Sequence, residues 1–304
     1  MAEEHSVFQV ARNKVETDIA SRTRSHQEKI STIKQTAEIA GLRPSIPYTA
    51  IAVGDSWFDY PLWEDIAGGQ TDIIAQLELM HEHQKLILRL AHHGDASGDM
   101  MARPKQERLI KALTDGRNWF HGKPDIIFCS AGGNDVAGDH FINFIYENDG
   151  RPANKGLDTA AFKVVLARAE LNYRALFKLR NSYAPGVPIL SHTYDFPTPD
   201  GRHPSCAGPW LKPSLVRKGW SVLDGKIIIA DALKRFRSML LALASVKANN
   251  FHVIDTQGTF NDADYRDDWI NELHPNSRGF KIMARKFDEQ WSLLRPTIAA
   301  DAVS

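Results

Sequence analysis

Apolar residues gather into five short continuous runs, separated by longer stretches in which they recur at helical spacing. The runs are Tyr48 to Val53, KLILRLA at 85–91, DIIFCS at 125–130, VPILS at 187–191 and FHVI at 251–254. Runs of this length without alternation mark strands covered on both faces. Between them, Ile73, Ile74, Leu77 and Met80 predict a helix over roughly 70–81. A second follows Pro104, with Leu109, Ile110 and Leu113 inward and Gly116 at its end. Phe162, Val165, Ala169 and Leu176 predict another over about 160–180, and one more covers about 226–245. The last follows Pro275, with Phe280, Met283, Ala284, Phe287 and Leu294 on one face and Pro296 at its end. Strand and helix alternate throughout, which predicts α/β architecture: a doubly wound, five-stranded parallel sheet with helices on both faces.

Three stretches fall outside this alternation. Residues 5–40 are polar, with a thin apolar stripe (Val7, Val10, Ile30, Ile33, Ala37) that predicts one or two helices. They form an N-terminal helical extension, 1–45, to a domain spanning 46–304. That extension either lies on the domain or joins a second copy of the chain. Residues 139–160 read as a connection carrying Phe141, Ile142, Phe144 and Ile145, and residues 195–225 as a long Pro- and Gly-rich loop without period.

Composition narrows the function classes. The 304 residues hold 37 Lys plus Arg against 37 Asp plus Glu, so no net field exists to hold nucleic acid or an anionic membrane. No apolar run approaches the ~20 residues of a membrane span. An acidic start, MAEEHSVFQV, and only two cysteines, Cys129 and Cys206, point to a reducing cytoplasm rather than a disulfide framework.

Chemistry-bearing residues stand where the strands end. Gly54, Asp55 and Ser56 follow the first run, Gly94 the second, and Gly133 and Asn134 the third; His274 lies beyond the fifth. The carboxyl edge of such a sheet is where ligands bind. A serine hydroxyl needs a neighbouring base, and neutral imidazole is the base suited to neutral pH. The Ser56 and Gly94 amides and the Asn134 side-chain amide offer donors for an oxyanion. His81, His83, His92 and His93 raise the question of a metal, but no carboxylate–histidine motif of the zinc enzymes accompanies them, and no cofactor is implied.

Over about 48–295 the chain resembles the GDSL, or SGNH, serine esterases and lipases. The matching blocks are GDS at 54–56, HHGD at 92–95, GGND at 132–135 and NELH at 271–274. The resemblance implies a three-layer flavodoxin-like fold with Ser56 as nucleophile, His274 as base, and Gly94 and Asn134 as oxyanion donors. It implies small-molecule ester substrates, among them acylated sugars and lipids. Two positions depart from the family pattern. Trp57 replaces the leucine of the family name and brings a large ring beside the nucleophile. Asn271 stands where the acid of the triad belongs. An amide oxygen can hold an imidazole tautomer but carries no charge. Asp268, six residues before His274, is the alternative partner, and Asp267 a weaker one. Asn271 lies three before His274 and shares its face in any helical turn. Trp57, Trp210 and Trp220 are candidates for substrate contact. The alternative to an esterase is a catalytically silent module of the same fold that binds a partner.

Overall fold

The computed structural model describes residues 2–41, 47–60, 72–80, 85–203, 208–260 and 263–294. Helix α1 (Ala2–Ala40) precedes strand β1 (Tyr48–Gly54), helix α2 (Ile73–Met80) and strand β2 (Lys85–Arg89). Helices α3 (Ser97–Met100) and α4 (Arg103–Thr114) lead to β3 (Ile126–Ser130), followed by the single turn α5 (Gly133–Val136). Helix α6 (Thr159–Tyr183), β4 (Ile189–His192), α7 (Lys212–Arg217), α8 (Val222–Ser245), β5 (Phe251–Ile254) and α9 (Ser277–Leu293) complete the chain. The five strands form one parallel sheet in the order β2-β1-β3-β4-β5.

Continuous apolar strands are the local cause of this arrangement. Every residue of β3 is buried, so both of its faces are covered. Successive side chains of a strand point to opposite faces. The Phe128 ring accordingly packs against Phe287 and Trp291 of α9, while the next residue, Cys129, meets Met100 of α3 on the other side. Tyr173 and Phe177 of α6 pack their rings, tilted, against Phe251 of β5. Strand order reverses direction at β1, with β2 on one side and β3 on the other. The carboxyl ends of β1 and β3 therefore flank the crevice in which such sheets bind ligands.

Residues 5–40, expected as one or two helices, belong to one continuous helix of 39 residues. Ile19 and Ile30 of α1 are buried, and the His26 ring bonds the Asn118 carbonyl at 3.0 Å. This part of the helix thus lies on the domain. The stretch 195–225, expected as one loop, contains α7 and the first turn of α8. Gly225 conceals that turn in the sequence: it looks like a breaker, but a Cβ there would stand 2.5 Å from the Leu215 side chain, which would have to shift to admit it. Ser221 caps the turn by accepting from the Asp224 amide. No helix among the described residues is long and apolar enough to cross a membrane.

Candidate active site

Ser56 is delivered to the sheet edge by its two predecessors. Gly54 has φ +132°, and a Cβ there would lie 1.9 Å from the Ser130 carbonyl oxygen. Only glycine lets β1 stay paired with β3 to its last residue. The Asp55 amide continues that pairing by donating to Ser130 O at 2.9 Å. The Asp55 side chain turns inward and accepts from the Trp57 amide at 3.0 Å, which closes the turn and leaves Ser56 facing the crevice.

His274 reaches the same place from a tight loop between Trp269 and Pro275, which pair as an antiparallel bridge. The loop is not helical. Asn271 Oδ1 accepts from the backbone amides of Leu273 and His274, each at 2.9 Å, and stands 3.0 Å from His274 Nδ1. Backbone amides only donate, so the atom they point at is the Asn271 oxygen. His274 Nδ1 must then carry a proton and donate it to Oδ1. That leaves Nε2 with its lone pair 2.7 Å from Ser56 Oγ, where it accepts the serine hydroxyl proton. Asn271 therefore meets His274 by an Asx turn rather than the helical spacing expected from the sequence.

The remaining Asn271 group, Nδ2, donates to Tyr60 Oη at 2.8 Å, and the Tyr60 ring packs on the imidazole at 4.6 Å. Trp210 meets that imidazole edge-on at 5.4 Å. Burial among these groups pushes the His274 pKa down to about 3. The imidazole is accordingly neutral, the form a general base needs, at any ordinary pH.

Asp268 does not share this arrangement. Its carboxylate is buried near Arg278, with 3.5 Å between Oδ1 and Arg278 Nε, while Asn271 occupies His274 Nδ1. Asp267 is exposed, and its carbonyl accepts from the Asn276 side chain. The irregular backbone at 269–275 brings Asn271 round to the imidazole and leaves both aspartates outside.

A small, mostly apolar cleft opens beside Ser56 and His274. Asn134 stands on its wall, one amide hydrogen bonded to Asp95 O at 3.0 Å. Trp57, Val136, Leu211, Ile229 and Leu233 make much of the rest. Trp57 is itself nearly buried, edge-on to Tyr194 and Trp269. Three expected participants, Gly94, Trp210 and Trp220, lie off this wall, Trp210 meeting the His274 ring instead. Gly94 sits in an exposed turn with φ +80°. Trp220 is a packing residue: it is buried, and its indole N–H donates to Tyr146 O at 2.8 Å. His92 and His93 stack on each other near Asp95 and Asp59, whereas His81, His83 and Cys206 lie outside the described residues.

A second set of serine, histidine and aspartate lies directly beneath. Ser130 Oγ donates to Asp55 Oδ1 at 2.6 Å and contacts His192 Nε2 at 2.9 Å. The Tyr194 amide donates to His192 Nδ1, so Nε2 holds the proton and donates to Ser130. Proton direction runs from histidine through serine to carboxylate, the reverse of what nucleophile activation requires. All three side chains are sealed from solvent, and burial pushes Asp55 up to about 6 despite its Ser130, Tyr194 and Trp57 donors. This set is a structural floor under Ser56. Ser130→Ala is expected to cost about 1–3 kcal/mol of stability in a urea titration, the usual penalty for an orphaned buried group, while turnover is retained.

Solved structures similar to this chain include an extracellular lipase from Streptomyces rimosus, at 16% identity and TM-score 0.44, covering 80% of this chain and 99% of that one. A lipase/acylhydrolase from Enterococcus faecalis is similar at 15% identity and TM-score 0.44, covering 83% and 100%. Likeness this distant carries no argument about activity. No family model and no curated protein matches the sequence.

Proposed function

We propose that the chain is a serine hydrolase of the SGNH type that cleaves carboxylic esters through an acyl-enzyme. The observation that carries this reading is the 2.7 Å approach of Ser56 Oγ to His274 Nε2, with the tautomer fixed by Asn271, at the mouth of an apolar cavity. His274 takes the hydroxyl proton as Ser56 Oγ bonds the ester carbonyl carbon. The carbonyl electrons move onto oxygen, and the Asn134 amide donates to it. Collapse breaks the bond to the alkoxy group, which leaves as the alcohol with the proton from His274. Water then repeats the sequence, giving up a proton to His274, and frees the acid and Ser56.

Asn271, in the place of a triad acid, is the residue that favours a silent binding module over an esterase. Its oxygen does the orienting half of an acid's work, since it holds the base in the accepting tautomer. What it does not supply is charge to stabilise imidazolium. The reading is tested by hydrolysis of p-nitrophenyl esters graded from acetate to octanoate. Turnover that saturates is expected, and a purified chain inert to the whole series would defeat it.

Asn134→Ala is expected to lower kcat by about 10²–10³, or roughly 3–4 kcal/mol, the cost of one lost oxyanion donor. KM should change little, because the bond strengthens mainly as charge develops on oxygen. Initial-rate kinetics on one ester check this, and a change confined to KM would remove Asn134 from the role.

A further inference from the structure

Glu272 follows Asn271 directly, is 1% exposed, and is not itself one of the residues that line the cavity. Its carboxylate instead collects four backbone amides from a distant loop. Oε1 accepts from the Trp210 amide and, at 2.6 Å, from the Leu211 amide. Oε2 accepts from Gly201 at 3.1 Å and Lys212 at 3.4 Å. An ionised carboxylate is costly to bury unless hydrogen bonds surround it, and charge-assisted bonds to amides are the strong kind. The exchange is reciprocal: the Glu272 amide donates to Arg202 O at 3.1 Å, and Arg202 Nη1 to Trp269 O at 3.2 Å.

What this clamp holds bears on the reacting atoms. Trp210 sets its ring 5.4 Å from the His274 ring, and Leu211 is part of the cavity wall. The Trp210 peptide is gripped from both sides, its N–H by Glu272 and its carbonyl by the Gly138 amide at 3.1 Å, just beyond the GGND block. One carboxylate thus ties the histidine loop, the cavity loop and the Asn134 segment into a single register.

Resting on the ester-hydrolase reading, we propose that Glu272 is a positioning residue: through the amides of Gly201, Trp210, Leu211 and Lys212 it sets where Trp210 stands against His274 and where Leu211 closes the acyl cavity, and so governs acyl preference without touching the ester. Glu272→Gln keeps the size of the side chain but turns an NH₂ group toward amides that can only donate, so one pair of bonds is lost.

The test is a double-mutant cycle of Glu272→Gln and Trp210→Ala on the full chain, with kcat and KM measured across the acetate-to-octanoate series and melting temperature recorded alongside. Glu272→Gln is expected to lower kcat/KM by about 10- to 100-fold, the usual cost of small displacements at a reacting site. It should also change the octanoate-to-acetate ratio in the direction Trp210→Ala does, and the double variant should be far less impaired than the product of the singles. Should Glu272→Gln fail to fold, Glu272→Asp runs the same cycle with the charge kept and the reach shortened. Additive losses, or a fall in melting temperature with an unchanged acyl ratio, would overturn the proposal against an active parent. An inert parent would overturn this proposal and the hydrolase reading together.

Discussion

Ser56→Ala is expected to lower kcat on p-nitrophenyl acetate by a factor on the order of 10⁶, the scale seen when a triad nucleophile is removed. The reason is local. Ser56 Oγ has one bond, to His274 Nε2, and no other hydroxyl stands at that nitrogen among the described residues. Stability should move by less than about 1 kcal/mol, because the histidine lone pair left behind faces a cavity that water can enter. Ser130→Ala gives the opposite pattern, with stability lost and turnover retained. The pair of variants therefore tells the Ser56–His274–Asn271 set from the Ser130–His192–Asp55 set. Equal turnover in Ser56→Ala and the parent would remove Ser56 from the chemistry.

The second large effect is expected at Asn271. Asn271→Ala removes the acceptor at His274 Nδ1 and also orphans the Leu273 and His274 amides. The imidazole is then free to adopt the wrong tautomer, a fault that costs about 10⁴ in a serine triad. Asp268→Asn should do far less, since Asn271 and not Asp268 stands at Nδ1. Asn271→Asp runs the other way. A carboxylate oxygen accepts the same three donors, and Tyr60 Oη, which accepts from Nδ2 in the parent, can donate to the second oxygen. The new negative charge stabilises imidazolium, so kcat at neutral pH is expected to rise by tenfold or more, with about 10⁴ as the ceiling.

The same substitution sets a pH signature. In the parent, burial holds His274 at about 3. Activity needs the neutral imidazole, so it is present above that pKa and is lost as pH falls through it. The acid limb of kcat/KM should lie near pH 3, measured over minutes to precede acid unfolding. An anionic neighbour raises a histidine pKa, and the limb of Asn271→Asp should move upward toward neutrality. A parent limb already near pH 6–7, the ordinary range of imidazole, would contradict the lowering of His274 by burial.

How much of this was legible in the sequence follows from the range of each interaction. The five strands are written as continuous apolar runs, because burial on two faces is a local requirement on each residue. The GDS and NELH blocks were legible as pieces of one site because each sits in its own short turn. Their joining depends on sheet order, which strand–helix alternation constrains. The Asx turn at Asn271 was not legible. Spacing suggested a helical face, whereas the side chain builds its own turn from two amides. Glu272 left no signal at all, since its partners are backbone amides 60 to 71 residues away that any side chain could carry. Trp210 and Trp220 looked alike in the loop, and only the packing separates the one against His274 from the one against Tyr146.

The most direct test of the central claim is covalent labelling of the folded parent with a fluorophosphonate, followed by mass mapping of the adduct. One adduct is expected, on Ser56, absent from Ser56→Ala and formed far more slowly in His274→Ala, whose serine has no base. An adduct on Ser130, labelling that persists in Ser56→Ala, or a parent that takes no label would contradict the account.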